Sequence, residues 1–280
     1  MKIFKTCSVC LMPETRPRMK FDENGICSAC KWHEEKKTLD WEKRENVLTE
    51  LIAKHKGKGV FDCLVPVSGG KDSSYVAHMM KNKYGLRVLT LTIRPDLVID
   101  VGEKNLDRFI SAGYDNIKIS PAPDVVRKIN KIGFVEQGRP FIGWQIAVQA
   151  VILKIAYLFN IKIIMYGENG ETEYGGTTEF KEKFFLGPED INILLENNSR
   201  EKYSDMFSDD ELYWLTPPTA QEISESGICY TYWSYFENWD SHKNELVAIE
   251  NFNIQGPEDR NIGTYTRLAQ NDTKLYSLHT

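Results

Sequence analysis

A mostly apolar run, Phe61–Val67, leads without a break into Ser68-Gly69-Gly70-Lys71-Asp72-Ser73, and helical spacing begins at once behind it. No other part of the chain constrains the fold as tightly. A run this short reads as a strand covered on both faces, the setting of a parallel sheet. Two glycines between such a strand and a helix let the backbone turn tightly and aim successive N–H groups at one point. The helix N-terminus adds the positive end of its dipole, so the loop is a cradle for phosphate. Ser68 and Ser73 contribute hydroxyls, Lys71 a point charge and Asp72 a carboxylate suited to Mg²⁺. The plain alternative is an incidental Gly-Gly turn.

The surrounding pattern alternates in the same sense. Val47, Leu48, Leu51 and Ile52 stand at helical spacing within 41–56, and Gly57 stops that helix. A helix over Ser73–Tyr84 follows the loop, then a strand at Arg87–Ile93, a helix at Lys104–Ala112 and a strand at Asn116–Ser120. Helices near Asp124–Ile132 and Trp144–Phe159 precede a fourth strand at Lys162–Tyr166. Such alternation implies a parallel sheet with right-handed crossovers, whose ligands lie beyond the carboxyl ends of the strands. Further helices are expected over 188–198 and 220–225.

The loop lacks the G-x-x-x-x-G-K-[ST] spacing of a Walker A motif. It resembles instead the SGGxDS signature of the PP-loop ATP pyrophosphatases, with Lys71 in the variable place. The resemblance implies an adenine-nucleotide hydrolase-like α/β domain. It also implies cleavage of ATP between its α- and β-phosphates, with an oxygen of the substrate adenylated.

Cys7-x₂-Cys10 and Cys27-x₂-Cys30 have the spacing of a two-knuckle structural zinc site. About 35 residues hold too little apolar side chain to fold unaided, so a metal staple is expected. An iron–sulfur cluster and unligated thiols are the alternatives. Six cysteines behind a start with no apolar signal segment argue for a reducing cytoplasm and against a disulfide framework. Cys63, inside the first strand, reads as a core residue.

Charge is unevenly spread. Residues 1–60 carry 13 Lys and Arg against 9 Asp and Glu, while the remainder carries 22 against 31. The net charge of −5 gives no reason to expect a nucleic-acid partner, and no segment reads as a membrane span.

A second loop follows the fourth strand: Gly167-Glu168-Asn169-Gly170-Glu171-Thr172-Glu173-Tyr174-Gly175-Gly176. Its glycines and acids are expected to face the phosphate loop, with Gly167 and Asn169 near the nucleotide. Glu168 or Glu173 would then orient an amine. A solvated surface turn is the alternative. Asn105, near a helix start, either reaches the nucleotide or faces solvent. Tyr232, Trp233, Trp239 and Asp240, with Tyr174, are candidate sugar contacts, and the same aromatics also read as core.

Several stretches together resemble the N-acetyl sugar amidotransferase family of bacterial surface-polysaccharide synthesis, of the pseudaminic-acid and O-antigen (LPS) type. They are CSVCLMPETRPRMKFDENGICSAC, VPVSGGKDSSY, IIMYGENGETEYGG, YTYWSYFENWDSHKN and GTYTRLAQNDTKLYSLH. The resemblance implies that an acetamido group of a sugar or nucleotide sugar becomes acetamidino at the expense of ATP and ammonia. The ammonia would come from a separate glutaminase with a cyclase-like subunit. Outside the paired knuckles only Cys63 and Cys229 remain, and neither has the setting of a glutaminase nucleophile. On this reading residues 1–38 are the four-cysteine zinc module, 39–200 the ATP-binding α/β domain and 201–280 an aromatic-rich substrate or partner region. The resemblance implies that this last region is incomplete here. The competing reading is a tRNA-thiolating PP-loop enzyme with N-terminal zinc knuckles, which the mildly basic module would suit.

Overall fold

A computed structural model of the chain describes residues 4–16, 18–95, 98–187, 189–191 and 202–258. In chain order its helices are α1 Ser28–Glu35, α2 Trp41–His55, α3 Lys71–His78, α4 Asp100–Ser111, α5 Pro123–Gln137, α6 Ile142–Leu158, α7 Gly170–Glu173, α8 Ala220–Ser226, α9 Trp233–Phe236 and α10 Ser241–Phe252. The strands are β1 Cys63–Pro66, β2 Val88–Ile93, β3 Asp115–Ile119, β4 Ile163–Tyr166 and β5 Cys229–Tyr232. They form one sheet in the order β3-β2-β1-β4-β5, in which β1 pairs in parallel with both β2 and β4. The fold class is therefore the expected one, a parallel sheet flanked by helices with a cysteine cluster near the N-terminus. The strand order reverses between β1 and β4, and sheets of this kind bind ligands at such a reversal.

The chain forms two compact units, both discontinuous in sequence, whereas the sequence reading divided it linearly at 38/39 and 200/201. One comprises His55–Met165, Gly187–Tyr230 and Asp240–Thr280. Its centre is the sheet and α6. Every residue of β2 is buried, and α6 is apolar nearly all round because it packs against α5 and the turn at Tyr213–Leu215 as well as against β1 and β2. Among the described residues no helix is long and apolar enough to cross a membrane.

The other unit comprises Met1–Lys54, Tyr166–Leu186 and Thr231–Trp239. The cysteine module alone offers few apolar side chains, and the later segments add Phe180, Leu186, Trp233, Phe236 and Trp239 to the buried Trp32, Leu48 and Leu51. Arg44 of α2 ties these segments together. Its guanidinium donates to the carbonyls of Lys181 (3.4 Å) and Tyr235 (3.3 Å) and lies 4.2 Å from the Tyr235 ring centroid.

Element boundaries differ from expectation in two informative places. Gly70 is extended (φ −81°, ψ 161°), so α3 starts at Lys71, two residues early, and a π-helical turn over Met79–Lys83 ends it. α4 starts at Asp100 and not near Lys104, which places Asn105 in its second turn. Of the helix expected over 188–198 only 189–191 fall among the described residues, and the stretch 263–279 lies outside them.

Candidate functional site

The loop after β1 has the geometry its sequence requires. Val67 N–H still pairs with Leu91 O (2.8 Å), then Gly69 turns with φ +81°. A Cβ on Gly69 would fall 2.7 Å from Leu106 N and 2.9 Å from Gly102 O, so the turn packs directly on the backbone of α4. Both the left-handed φ and the close approach demand glycine. No side chain caps α3, which leaves its first-turn N–H groups to a ligand or solvent. Ser68 is exposed, and its N–H lies 3.4 Å from Ser73 Oγ.

Lys71 and Asp72 are half-buried neighbours, Lys71 Nζ donating to Asp72 Oδ2. The other oxygen, Oδ1, accepts from Asn244 Nδ2 at 2.9 Å. Sequence reading did not single out Asn244, which stands 172 residues away on α10. Asn105 requires a correction. It is fully buried, its Nδ2 donates to Gln255 O (2.7 Å), and its Oδ1 accepts from Gln255 N (3.0 Å) and Arg108 Nη1 (2.9 Å). A side chain so occupied clamps chain segments and reaches neither nucleotide nor solvent.

The four sulfurs of Cys7, Cys10, Cys27 and Cys30 lie within 4.8 Å of one another. Cys7 and Cys30 are 3.9 Å apart, Cys10 and Cys27 3.6 Å. A single tetrahedral ion with metal–sulfur bonds of about 2.3 Å sets its sulfurs about 3.8 Å apart, so the donors fit zinc. A cluster of several irons would spread the thiolates more widely. Backbone N–H groups of Val9 and Cys27 point at Cys7 Sγ (3.4 and 3.3 Å), the hydrogen bonds that steady a metal-bound thiolate. Backbone hydrogen bonds, that of Cys10 foremost, draw the Cys7 thiol down to about 6, while burial pushes Cys27 and Cys30 up. Thiols this close ionise together only around a cation. Cys63, fully buried in β1, is pushed up by desolvation and is chemically quiet.

The second loop is bound by the N-terminal module within their shared unit. Arg16 Nη2 donates to Gly170 O (2.9 Å), Ser28 Oγ to Gly175 O (2.9 Å), and Arg18 grips Glu171 with two bonds (2.9 and 2.6 Å). The Arg18 bonds hold the Glu171 carboxyl below its ordinary range. Glu173 is enclosed: Trp32 Nε1 donates to Oε1 (2.9 Å), Lys36 Nζ to Oε2 (2.6 Å), and its side chain is 5% exposed. Both Glu171 and Glu173 are thereby structural. Glu168 is half-buried, its Oε1 accepting from Tyr174 Oη at 3.3 Å. Asn169 caps α7 by accepting from Glu171 N (3.1 Å), and Gly167 lies against Trp239, where a Cβ would meet the indole at 3.0 Å.

The aromatic candidates separate by burial. Trp233 and Trp239 are interior packing residues, with 1% and 8% exposure. Asp240 caps α10, accepting from the backbone N–H groups of His242 (2.9 Å) and Lys243 (3.1 Å), so its carboxylate is engaged by its own helix. Tyr232 is half-buried and lines a small cleft with Thr172, Glu173, Phe180 and Ser234. Tyr174 is exposed, with the Arg16 guanidinium 5.9 Å over its ring.

No family model and no curated protein sequence matches the chain. Many solved structures resemble it, those described here at low identity. The U34-tRNA thiolase NcsA from Methanococcus maripaludis, with its 4Fe–4S cluster, is 12% identical with TM-score 0.38, over 95% of this chain and 79% of that one. The NMN synthetase of Francisella tularensis is 12% identical with TM-score 0.37, over 74% and 96%. The NH3-dependent NAD synthetase of Campylobacter jejuni is 13% identical with TM-score 0.35, over 68% and 95%. Likeness of this depth does not carry a function across.

Proposed function

We propose that the chain is an ATP-using enzyme of the PP-loop class that adenylates the acetamido oxygen of a sugar and replaces it with ammonia-derived nitrogen. The observation that supports the ATP-using part of this reading is the strand–Ser-Gly-Gly-Lys-Asp-Ser–helix junction, with Gly69 fixed at φ +81° and α3 left uncapped; the sugar part rests on the resemblance of the sequence stretches alone. The β- and γ-phosphates of ATP would lie on the Gly69–Ser73 amides, and Asp72 would hold a Mg²⁺ that neutralises their charge. The acetamido oxygen attacks the α-phosphorus, the bond to the β-phosphate oxygen breaks, and pyrophosphate leaves stabilised by Lys71 and the loop amides. Loss of the amide proton leaves an O-adenylyl imidate whose imidate group is uncharged. Ammonia adds to its carbon, and AMP departs with the former acetamido oxygen.

The pairing of basic residues within the fold weighs against RNA thiolation. Arg16, Arg18 and Lys36, three of the cations that make residues 1–60 basic, are turned onto Gly170, Glu171 and Glu173. Lys36 is buried there, and Arg16 and Arg18, though reached by solvent, are already bonded and so less available to a phosphate backbone.

The test supplies ATP, Mg²⁺, ammonium and a panel of acetamido nucleotide sugars. The expected product has NH in place of the carbonyl oxygen and an added positive charge at neutral pH, read by mass spectrometry and cation exchange. Glutamine should replace ammonium only when a glutaminase is added, because the chain has no suitably placed cysteine nucleophile. Sulfur transfer to tRNA, with tight binding at physiological salt, would overturn the sugar reading.

A further inference from the structure

We infer that Asn244 is a positioning residue, the one that holds the Asp72 carboxylate in place for a divalent cation. This rests on the reading of Ser68–Ser73 as the nucleotide loop. Asn244 lies in the first turn of α10, is 1% exposed and donates Nδ2 to Asp72 Oδ1 at 2.9 Å. Only the amide nitrogen can face a carboxylate oxygen, so the orientation of the side chain is fixed.

The two oxygens of Asp72 have partners of different kinds. Oδ2 meets the Lys71 ammonium, a strongly hydrated charge on a flexible stem for which an incoming phosphate competes. Oδ1 meets a short, buried amide that has nowhere else to go. When Lys71 turns to the nucleotide, Asn244 is the partner that stays. It is also neutral. A Lys or Arg there would cancel the carboxylate's charge and disfavour a cation beside it, whereas an amide fixes the geometry and leaves the charge intact.

α10 is built to keep that amide still. At its N-terminus Asp240 closes the first turn. At its other end Phe252 packs edge-on against Phe109 (5.1 Å), Tyr114 (5.7 Å) and His78 (5.9 Å). Beyond Asn253, in the left-handed conformation (φ 51°), Gln255 is held by Asn105 and Arg108 of α4. The helix is therefore anchored at both ends, and the buried Asn105 acquires a purpose its sequence position did not suggest.

The experiment measures binding of α,β-methylene-ATP, which has no cleavable oxygen bridge between its α- and β-phosphates, to the full chain by calorimetry, with Mg²⁺ and with EDTA. Absence of any nucleotide binding by the unaltered chain would sink the nucleotide reading itself, and this inference with it. With binding established, Asn244→Leu, close in volume but without the donor, and Asn244→Ala should weaken the Mg²⁺ complex by about tenfold or more, the worth of one hydrogen bond to a charged group. Binding in EDTA should change by less than about twofold, a split that general loosening of the fold does not produce. Equal Mg²⁺-dependent binding by Asn244→Leu and the unaltered chain would overturn the inference. In the unaltered chain, adding Mg²⁺ to the nucleotide complex should slow hydrogen exchange across 241–252. Unchanged exchange there would count against the inference even if both variants fail to fold.

Discussion

Removing the zinc that Cys7, Cys10, Cys27 and Cys30 are placed to bind is expected to unfold the N-terminal module and to release the loop at 168–176 with it. Residues 4–35 bury few large apolar groups, Trp32 foremost among them, so metal–thiolate bonds must supply most of their stability. Structural zinc in small modules contributes about 10–16 kcal/mol of apparent binding free energy, enough to decide between folded and unfolded. The loop depends on the module through Arg16, Arg18, Ser28, Trp32 and Lys36, and through Gly175, whose φ of +79° sets it where a Cβ would lie 3.0 Å from Ala29. Elemental analysis should find about one zinc per chain, lost in Cys27→Ala. Hydrogen exchange after chelation should accelerate across 168–176 and stay slow in β2. Iron with a visible absorption band, or a loop indifferent to chelation, would contradict this account.

The second large effect is expected at the buried ion pair of Lys36 and Glu173, whose side chains are 8% and 5% exposed. Glu173→Gln leaves the Lys36 ammonium buried without its counter-charge. Breaking such a pair from one side costs about 3–5 kcal/mol. The double change Lys36→Met with Glu173→Gln removes both charges, keeps an acceptor for Trp32 Nε1 and should cost far less, because neither ion is then desolvated. The Arg18–Glu171 pair is a built-in comparison. Arg18 is 57% exposed, so Arg18→Ala should cost no more than about 1 kcal/mol. Urea denaturation of these variants beside the unaltered chain checks the order, and a Glu173→Gln midpoint equal to that of the unaltered chain would show the pair to be dispensable.

The parts legible in the sequence are those whose cause is local. The length and apolarity of Phe61–Val67, the Gly-Gly turn and the C-x₂-C spacings each act within a few residues, and β1, its loop and the cysteine cluster lie where those signals put them. The pairs that settle the roles of individual acids are not local. Lys36 sits in the charge run His33–Lys37, indistinguishable by composition from a solvated surface, yet it crosses 137 residues to reach Glu173. Asn244 is a polar residue at a helix start until α10 is laid beside α3. Trp233 and Trp239 had to be read as platform or core, and only their burial separates the two.

The central claim is tested most directly by the products of ATP. With Mg²⁺, ammonium and an acetamido sugar that supports turnover, ³¹P NMR or ion-exchange chromatography should show AMP and pyrophosphate in equal amounts, one pair for each amidine formed. ADP and inorganic phosphate as the primary products would contradict it, because a loop that cradles the β- and γ-phosphates as a leaving group exposes the α-phosphorus to attack.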